Sequence, residues 1–274
     1  MLQGIDVAKW QGDINWAKVK KNFAILKVTD KSNAIEPAFE KNYAGCRSNK
    51  IPVGGYKYVY AKTVNEAEIE ALCILSVLKD RVLECGIWLD MEDSSIKSLG
   101  KSRLSQIIVA EAKILQAHGQ KVGIYCNKDW YDNVLPGKLL SESYPFWIAR
   151  YPSKDTGTFN EKSTLSPKSY AKAWQYSQKG KVEGIKGAVD LDVAFESFDL
   201  MFKSSTMPSG TYYPRYTGNG TSIVSALATV GEKNTSMSHR KLIAKKNGIL
   251  YYEGSIKQNL KLVELLKQGK LLKA

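Results

Sequence analysis

Eight short apolar segments, several of them separated by amphipathic stretches, occupy roughly the first 200 residues of this 274-residue chain. The strand-like segments are residues 2–7, 24–29, 53–59, 87–91, 122–126, 146–149, 172–176 and 188–193. Apolar residues with helical spacing occur at 14–21, 37–48, 64–79 and 101–118. Strands that alternate with helices form parallel sheets through helical crossovers, and eight such strands suit closure into a barrel. The sequence therefore predicts an α/β fold.

The helical pattern fades after the sixth strand-like segment. The last strands are separated by stretches rich in Gly, Ser, Pro and Lys, without apolar residues at three- and four-residue spacing. We therefore expect loops there, which predicts an irregular TIM-like (β/α) barrel with helices missing near its C-terminal end.

A Ser-, Thr-, Pro- and Gly-rich stretch at residues 204–210 has the composition of a linker. From Ser205 onward the chain has 11 Lys and Arg but 3 Asp and Glu, against 40 and 27 in the whole sequence. We expect a catalytic barrel in residues 1–203 and a small α/β domain in residues 211–274. Its pattern predicts strand, helix, helix, strand, helix and strand.

The formal net charge of +13 favours polyanionic partners, such as nucleic acid, anionic lipid or a wall polymer. No apolar run approaches the roughly 18 residues that a membrane-spanning helix needs. The N-terminal residues lack a basic region followed by an apolar core, so we expect no signal peptide and synthesis in the cytoplasm. The four cysteines lack C-x-x-C spacing and there are two histidines, which predicts neither a metal site nor a cofactor.

Strand alternation predicts which side chains face the barrel interior. In residues 87–92, Ile87, Leu89 and Met91 suit packing against helices, so Trp88, Asp90 and Glu92 face inward. The same reasoning applied to other strands gives further inward side chains: Asp6, Lys27, Tyr125, Asp190 and Asp192, with Tyr56 and Tyr58 sharing one face. Taken singly, an acid such as Asp192 is better explained as a solvated loop residue. As a group, they indicate an active site at the carboxyl ends of the strands.

Paired carboxylates flanked by aromatic rings are suited to cleaving glycosidic bonds. One carboxyl group donates a proton to the leaving oxygen, and its ionised neighbour stabilises or attacks the oxocarbenium-like centre. Asp90 and Glu92 lie two positions apart on one strand, about 6.7 Å between their Cα atoms. Their side chains can reach the separation of either a retaining or an inverting enzyme, so the stereochemistry stays open.

Six stretches resemble, in order, the signature segments of family 25 glycoside hydrolases, the Chalaropsis-type lysozymes: GIDVAKWQG, LDMED, IYCNKDWY, FWIARY, AWQYS and AVDLDVAF. The resemblance covers roughly residues 1–200. It implies an eight-strand barrel that cleaves the β-1,4 bond between N-acetylmuramic acid and N-acetylglucosamine in peptidoglycan. It leaves open whether a carboxylate or the substrate's own N-acetyl group attacks.

The resemblance also implies roles for individual residues. Glu92 matches the family's proton donor and Asp90 its partner carboxylate, while Asp6 and Asp190 match two further acids of the cleft. The positions at which the family contacts sugar are Lys27, Tyr56, Tyr125 and Trp174. Tyr58 and Trp88 join this substrate-binding set because they share the inward faces of their strands.

Three tail segments resemble wall-binding units of phage lysozymes and amidases from spore-forming Gram-positive hosts: YPRYTGNG, SHRKLIAKKNGI and LLKQGKL. This resemblance implies a modular bacteriophage endolysin of a Gram-positive, clostridial host. Such a bacteriolytic enzyme waits in the host cytoplasm until a holin opens the membrane. The tail is then expected to bind peptidoglycan and anionic secondary wall polymers, and to self-associate because so short a segment buries little core.

Two other functions are open at this point. A noncatalytic glycan- or wall-binding protein could use the same barrel, although such a protein needs no Asp90–Glu92 pair. A nucleic-acid binder is suggested by charge alone, and we expect no nucleic-acid partner because SHRKLIAKK suits a helix with one solvated basic face.

Overall fold

The protein is described from a computed structural model, in which residues 1–203, 211–249 and 252–274 are described, apart from the side chain of Lys203. The chain divides into two compact units, Met1–Ser205 and Thr206–Ala274. The expected linker, residues 204–210, lies outside the described residues.

The first unit is a closed eight-strand barrel in which each strand pairs with its sequence neighbours. The strands are β1 (Leu2–Val7), β2 (Phe23–Lys27), β3 (Val53–Tyr58), β4 (Ile87–Asp90), β5 (Val122–Asn127), β6 (Phe146–Ala149), β7 (Ala173–Gly180) and β8 (Val189–Ala194). Strands β1 to β7 are parallel, and β8 is antiparallel to both β7 and β1. The short 181–188 connection explains this reversal, since a parallel return needs a crossover of about a dozen residues or more.

Helices cover the barrel unevenly, as the sequence predicts. They are α1 (Phe39–Ser48), α2 (Val64–Leu78), α3 (Gly100–Ala117), α4 (Gly137–Leu140) and α5 (Phe198–Lys203). The connections between β6 and β7 and between β7 and β8, all within the described residues, contain no helix. The irregular TIM-like barrel is therefore confirmed.

The helix predicted over residues 14–21 is wrong. This segment contains one 3₁₀ turn, Trp16–Lys18, after which Val19 is extended. Tertiary contacts override the apolar spacing here. The Trp16 indole Nε1 donates to Asn42 of α1 at 3.3 Å, and the Asn15 backbone N–H donates to the Gly184 carbonyl at 2.8 Å.

Aromatic side chains close the barrel interior at the end where the parallel strands begin. Trp88 contacts Trp147 at a ring-centroid separation of 5.8 Å and Phe202 of α5 at 5.6 Å. Phe198 of α5 packs edge-on against Phe23 at 4.9 Å. Helix α5 therefore seals the barrel at the end where β2 begins, and the interior opens at the carboxyl ends of the parallel strands.

The second unit is built from three helices, α6 (Ile223–Thr229), α7 (Met237–Lys246) and α8 (Ile256–Lys267). Ser222, Ser236 and Ser255 cap these helices by accepting a backbone N–H three residues later. The strands expected at the two ends of the unit form a single antiparallel bridge between Tyr212 and Leu272. Residues 250 and 251, within another expected strand, lie outside the described part of the chain.

Gly123 in β5 leaves space for the Trp88 indole, since a Cβ built on it would lie 2.4 Å from that ring. We expect Gly123→Ala to lower the free energy of unfolding of the barrel by about 1–3 kcal/mol through overpacking. Combining it with Trp88→Phe should recover part of the loss. Urea unfolding followed by tryptophan fluorescence measures this double-mutant cycle. Strictly additive losses would contradict the assigned contact.

Candidate active site

A cleft of about 320 Å³ opens at the carboxyl ends of the parallel strands. Its lining consists of carboxyl, aromatic and amide side chains with one lysine: Asp6, Trp10, Lys27, Tyr56, Tyr58, Asp90, Glu92, Tyr125, Trp147, Tyr151, Gln175, Gln178 and Asp190. Eight of the ten residues expected from the sequence therefore meet in one hollow: Asp6, Lys27, Tyr56, Tyr58, Asp90, Glu92, Tyr125 and Asp190.

Trp88 and Trp174, the other two expected substrate-binding residues, do not line this cleft. Trp88 faces inward but lies in the aromatic floor, where its Nε1 donates to the Cys85 carbonyl at 2.9 Å. Trp174 faces away from the cleft, because Gln175 is the inward residue of β7. The Trp174 Nε1 donates to the Arg150 carbonyl at 2.8 Å, and its ring packs against Tyr176. The structure therefore does not support substrate contact by either indole.

Asp90 is the last residue of β4, and Glu92 lies two positions further along the chain. Asp90 is buried, and burial raises its pKa well above the ordinary value, with the Glu92 charge adding to the rise and Lys27 opposing it. Glu92 is half-buried; burial raises its pKa and the Asp190 charge adds to this. Burial and Asp155 raise the pKa of Asp190 to about 6. Such an arrangement favours holding protons on carboxyl groups near neutral pH.

Gln175 fixes the orientation of Asp6 through its amide group. The Gln175 Oε1 accepts a hydrogen bond from the Tyr125 hydroxyl at 2.8 Å and another from the Tyr151 hydroxyl. Its Nε2 therefore faces Asp6 and donates to Oδ2 at 2.6 Å. Two tyrosines on neighbouring segments thus determine, through one amide, how Asp6 presents its carboxyl group to the cleft.

A second carboxyl group lies beside Asp6, with no contact with solvent. Asp192 pairs in register with Gly4, and its Oδ1 accepts from the Trp147 Nε1 at 3.0 Å. Burial raises the pKa of Asp192 well above its ordinary value and the Asp190 charge adds to this, while the hydrogen bond from Trp147 opposes the rise. The interpretation of Asp192 as a solvated residue is therefore wrong.

Aromatic faces and one cation form the rim of the cleft. The Lys27 Nζ lies 5.7 Å from the Tyr56 ring centre and 5.6 Å from that of Tyr58. Trp10, in the 3₁₀ turn after β1, is 78% exposed, with the Lys9 Nζ 4.8 Å from its ring. Flat rings with polar groups at their edges suit stacking against sugar rings and hydrogen bonding to hydroxyls.

Five residues of the cleft lining are absent from the sequence-based set: Trp10, Trp147, Tyr151, Gln175 and Gln178. Strand alternation would have identified Trp147 and Gln175, since each lies between outward-facing neighbours. Tyr151 follows the end of β6, Gln178 lies beyond an irregularity in the β7–β8 pairing, and Trp10 belongs to a turn. No group of three or more His, Cys, Asp and Glu side chains within the described residues is arranged to hold a metal ion.

Asp192→Asn should stabilise the barrel increasingly as pH rises. A folded-state pKa above the unfolded value gives stability that is full below the unfolded pKa and is lost as pH rises through the folded pKa. Asparagine suffers no such loss, and its amide oxygen can still accept from the Trp147 Nε1. We expect a gain of about 1 kcal/mol or more at pH 8 relative to pH 4, measured by urea unfolding with tryptophan fluorescence.

Asp13→Asn is the matched control for this pH dependence. Asp13 is exposed and its pKa is lowered by a hydrogen bond from Lys41, so its contribution is lost as pH falls. The control should therefore change the stability difference in the opposite direction. A pH-independent effect of Asp192→Asn would contradict the raised pKa that burial gives Asp192.

The sequence profile of one known family, the glycosyl hydrolases family 25, matches residues 5–185. The uncharacterized Escherichia coli protein YegX is 30% identical over 207 residues, covering 70% of this chain and 69% of that protein. Lysozyme M1 of Streptomyces globisporus is 29% identical over 210 residues, covering 69% of this chain and 66% of that lysozyme.

A solved structure supports the same fold. The catalytic domain of an endolysin from a bacteriophage of Listeria monocytogenes has a TM-score of 0.59 at 22% identity. The alignment covers 75% of this chain and 98% of that domain.

Proposed function

Because this chain belongs to the glycosyl hydrolases family 25 and is a glycoside hydrolase, we propose that its substrate is bacterial peptidoglycan. The bond that it cleaves is the β-1,4 bond between N-acetylmuramic acid and N-acetylglucosamine. The single observation that carries this proposal is the gathering of Asp6, Asp90, Glu92 and Asp190 in one aromatic-rimmed cleft. The relative named lysozyme M1 supports the choice of substrate.

In the proposed mechanism, Glu92 donates a proton to the leaving glycosidic oxygen. Glu92 is the less buried member of the pair, and its raised pKa keeps it protonated for this step. Burial and the Glu92 charge raise the pKa of Asp90, and Lys27 opposes this rise because an adjacent positive charge stabilises a carboxylate. The proposed mechanism uses the ionised form of Asp90. The ionised Asp90 then stabilises the positive charge that develops at the anomeric carbon.

The other cleft residues hold the substrate and complete the charge distribution. Asp6 and Asp190 supply two further carboxyl groups to the cleft. They lie side by side because the two residues pair in register across β1 and β8. Lys27, Tyr56, Tyr58 and Tyr125 are the proposed sugar-binding residues, joined by the exposed Trp10. A noncatalytic glycan-binding protein would gain nothing from burying so many acids, because burial of unpaired carboxyl groups is costly.

We expect Glu92→Gln to reduce lysis of Gram-positive walls by about 10²–10⁴-fold, the usual value of a general acid. Asp90→Asn should be nearly as severe, and circular dichroism should show an unchanged fold for both. Asp93→Asn is the matched control, since Asp93 is the next acid along the chain and does not line the cleft. Loss of turbidity of wall suspensions measures the effect. Unchanged turnover in Glu92→Gln would contradict its role.

Mass spectrometry of reduced digestion products identifies the bond. Reducible muramic acid ends are the expected product of cleavage at the proposed position. Reducible glucosamine ends, or free peptides without new sugar ends, would contradict it.

We also propose the biological setting of a phage endolysin, with residues 1–203 as the catalytic domain, 204–210 as a linker and 211–274 as a cell-wall-binding domain. The structural likeness to a Listeria phage endolysin domain supports this proposal. The enzyme would accumulate in the cytoplasm of a Gram-positive, clostridial host and reach the wall after holin opens the membrane. No helix within the described ranges combines the length and apolar character of a membrane span.

Self-association through the C-terminal unit is a further part of this proposal. Ile256 is 81% exposed and Leu242 is 56% exposed, although both belong to helices of a small unit. Apolar side chains left uncovered on so small a core favour contact with a second copy. Light scattering of the purified full-length chain should give a mass above that of the monomer, and a monodisperse monomer would contradict the proposal.

A further inference from the structure

Four basic residues of the C-terminal unit lie around its antiparallel bridge: Arg215, Lys267, Lys270 and Lys273. We refer to them as the basic cluster. We propose that the basic cluster is the surface that binds a linear phosphodiester polymer of the bacterial wall, such as a polyol phosphate chain. This inference rests on the wall-anchoring role proposed above and specifies the surface and the chemistry of its ligand.

Backbone pairing brings the two ends of the unit together. The Lys273 N–H donates to the Thr211 carbonyl at 2.8 Å, and the Tyr213 N–H donates to the Leu271 carbonyl at 2.9 Å. The segment before α6 then crosses the end of α8, where the Arg215 Nε donates to the Lys267 carbonyl at 2.8 Å. Residues distant in sequence are therefore brought together around the bridge.

The C-terminal end of α7 reaches the same place. Asn247, which caps α7, donates to the Leu272 carbonyl at 2.9 Å and accepts from the Leu272 N–H at 2.8 Å. Lys245 and Lys246, in the last turn of α7, therefore add positive charge beside the basic cluster.

Two of the four side chains are held in position by buried rings. The Lys267 Nζ lies 6.0 Å from the Tyr216 ring centre, and the Lys273 Nζ lies 5.4 Å from that of Tyr213. Both tyrosines are buried, so each ammonium group lies within cation–π distance of a fixed aromatic ring. Preorganised cations lose less side-chain entropy when an anion binds.

Glu232 and Glu264 bond to partners outside the basic cluster. Glu232 bonds the Tyr213 hydroxyl and lies 3.2 Å from His239, near the start of α7. Glu253 comes two residues before the cap of α8, and Glu264 pairs with Lys261 at 3.9 Å. Within residues 211–249 and 252–274, no ion pair joins a member of the basic cluster to a carboxylate side chain.

Helix dipoles alone do not account for this distribution. A lysine in the last turn of a helix, such as Lys267, is favoured by the dipole without any ligand. Arg215, Lys270 and Lys273 lie outside the helices, so that explanation does not apply to them. Their convergence instead matches a ligand that carries several negative charges in a row.

The chemistry of the surface favours a polyol phosphate over a nucleic acid. Single-stranded nucleic acids are bound by cations combined with aromatic rings on which bases stack. Tyr213 and Tyr216 are buried, at 3% and 9% exposure, and Tyr212, at 53% exposure, supplies a single ring and not the row of rings on which successive bases stack. A flexible chain of phosphodiesters needs only the spaced cations, and its affinity falls as salt screens them.

The test uses the full-length chain carrying Glu92→Gln, so that walls are not digested during binding. The added variant is R215Q/K270Q/K273Q, which removes three charges that lie outside the helices. Binding is measured by co-sedimentation with Gram-positive walls, before and after hydrofluoric acid removes their phosphodiester-linked polymers, and by titration with poly(glycerol phosphate). We expect about tenfold weaker binding or more, and a shallower dependence on salt between about 50 and 300 mM.

The matched control is K233Q/K241Q/K257Q, which removes the same charge from exposed positions outside the basic cluster. It should weaken binding to both probes by less than about threefold. Equal weakening by the two variants, or none by R215Q/K270Q/K273Q, would overturn the proposal. So would equal binding to acid-treated walls, or tighter binding to single-stranded DNA of matched charge.

Two further measurements keep these outcomes interpretable. If the triple variant fails to fold by circular dichroism, K270Q alone changes one exposed side chain and should weaken binding in the same direction. Hydrolysis of soluble muramic acid–glucosamine fragments is measured for the same surface variants with Glu92 restored. Equal hydrolysis by all of them is expected. Failure of the unsubstituted chain to cut these fragments would overturn the proposed reaction, whereas loss of wall binding alone would not.

Discussion

Burial of several carboxyl groups in one hollow is the constraint on which this molecule depends. Asp6, Asp90 and Asp192 are each less than 10% exposed. Their pKa values rise because the interior disfavours ionised acids, and the neighbouring acids reinforce the effect. The Gln175 amide donates to Asp6 and the Trp147 indole donates to Asp192, which holds these two acids in defined orientations. Burial of these acids lowers the stability of the barrel at neutral pH. By raising their pKa values, it also keeps protons on carboxyl groups, and a proton is what a glycosidic oxygen must receive.

Strand alternation predicts much of this site because one face of every strand is confined to the interior. Asp6, Lys27, Asp90, Tyr125 and Asp190 all lie where their parity indicates. The position of eight strands follows equally well, since each is a short segment that is apolar or alternates apolar and polar residues. These features depend on periodicity within a single segment, which a sequence displays directly.

Features that depend on contacts between segments were not predictable in this way. Lys57 faces outward from β3 and is fully buried, 3.6 Å from Glu70 of α2, although a charged residue in a strand usually indicates solvent. The segment at 14–21 has helical spacing, but Trp16 packs against α1 instead. Each outcome was decided by a partner distant in sequence.

Because β8 runs antiparallel to β7, a short hairpin and not a helical crossover connects these two strands at the edge of the cleft. The 181–188 hairpin connects Gln178 to Asp190, both on the cleft, and adjoins an open hollow of about 570 Å³. At the same rim, the connections that follow β2, β3 and β4 each lead into a helix packed on the barrel. A change in the length of the hairpin would reshape the cleft edge while the strand ladder stayed intact. We therefore expect that related enzymes with different glycan preferences differ in this hairpin, where a change costs little in folding.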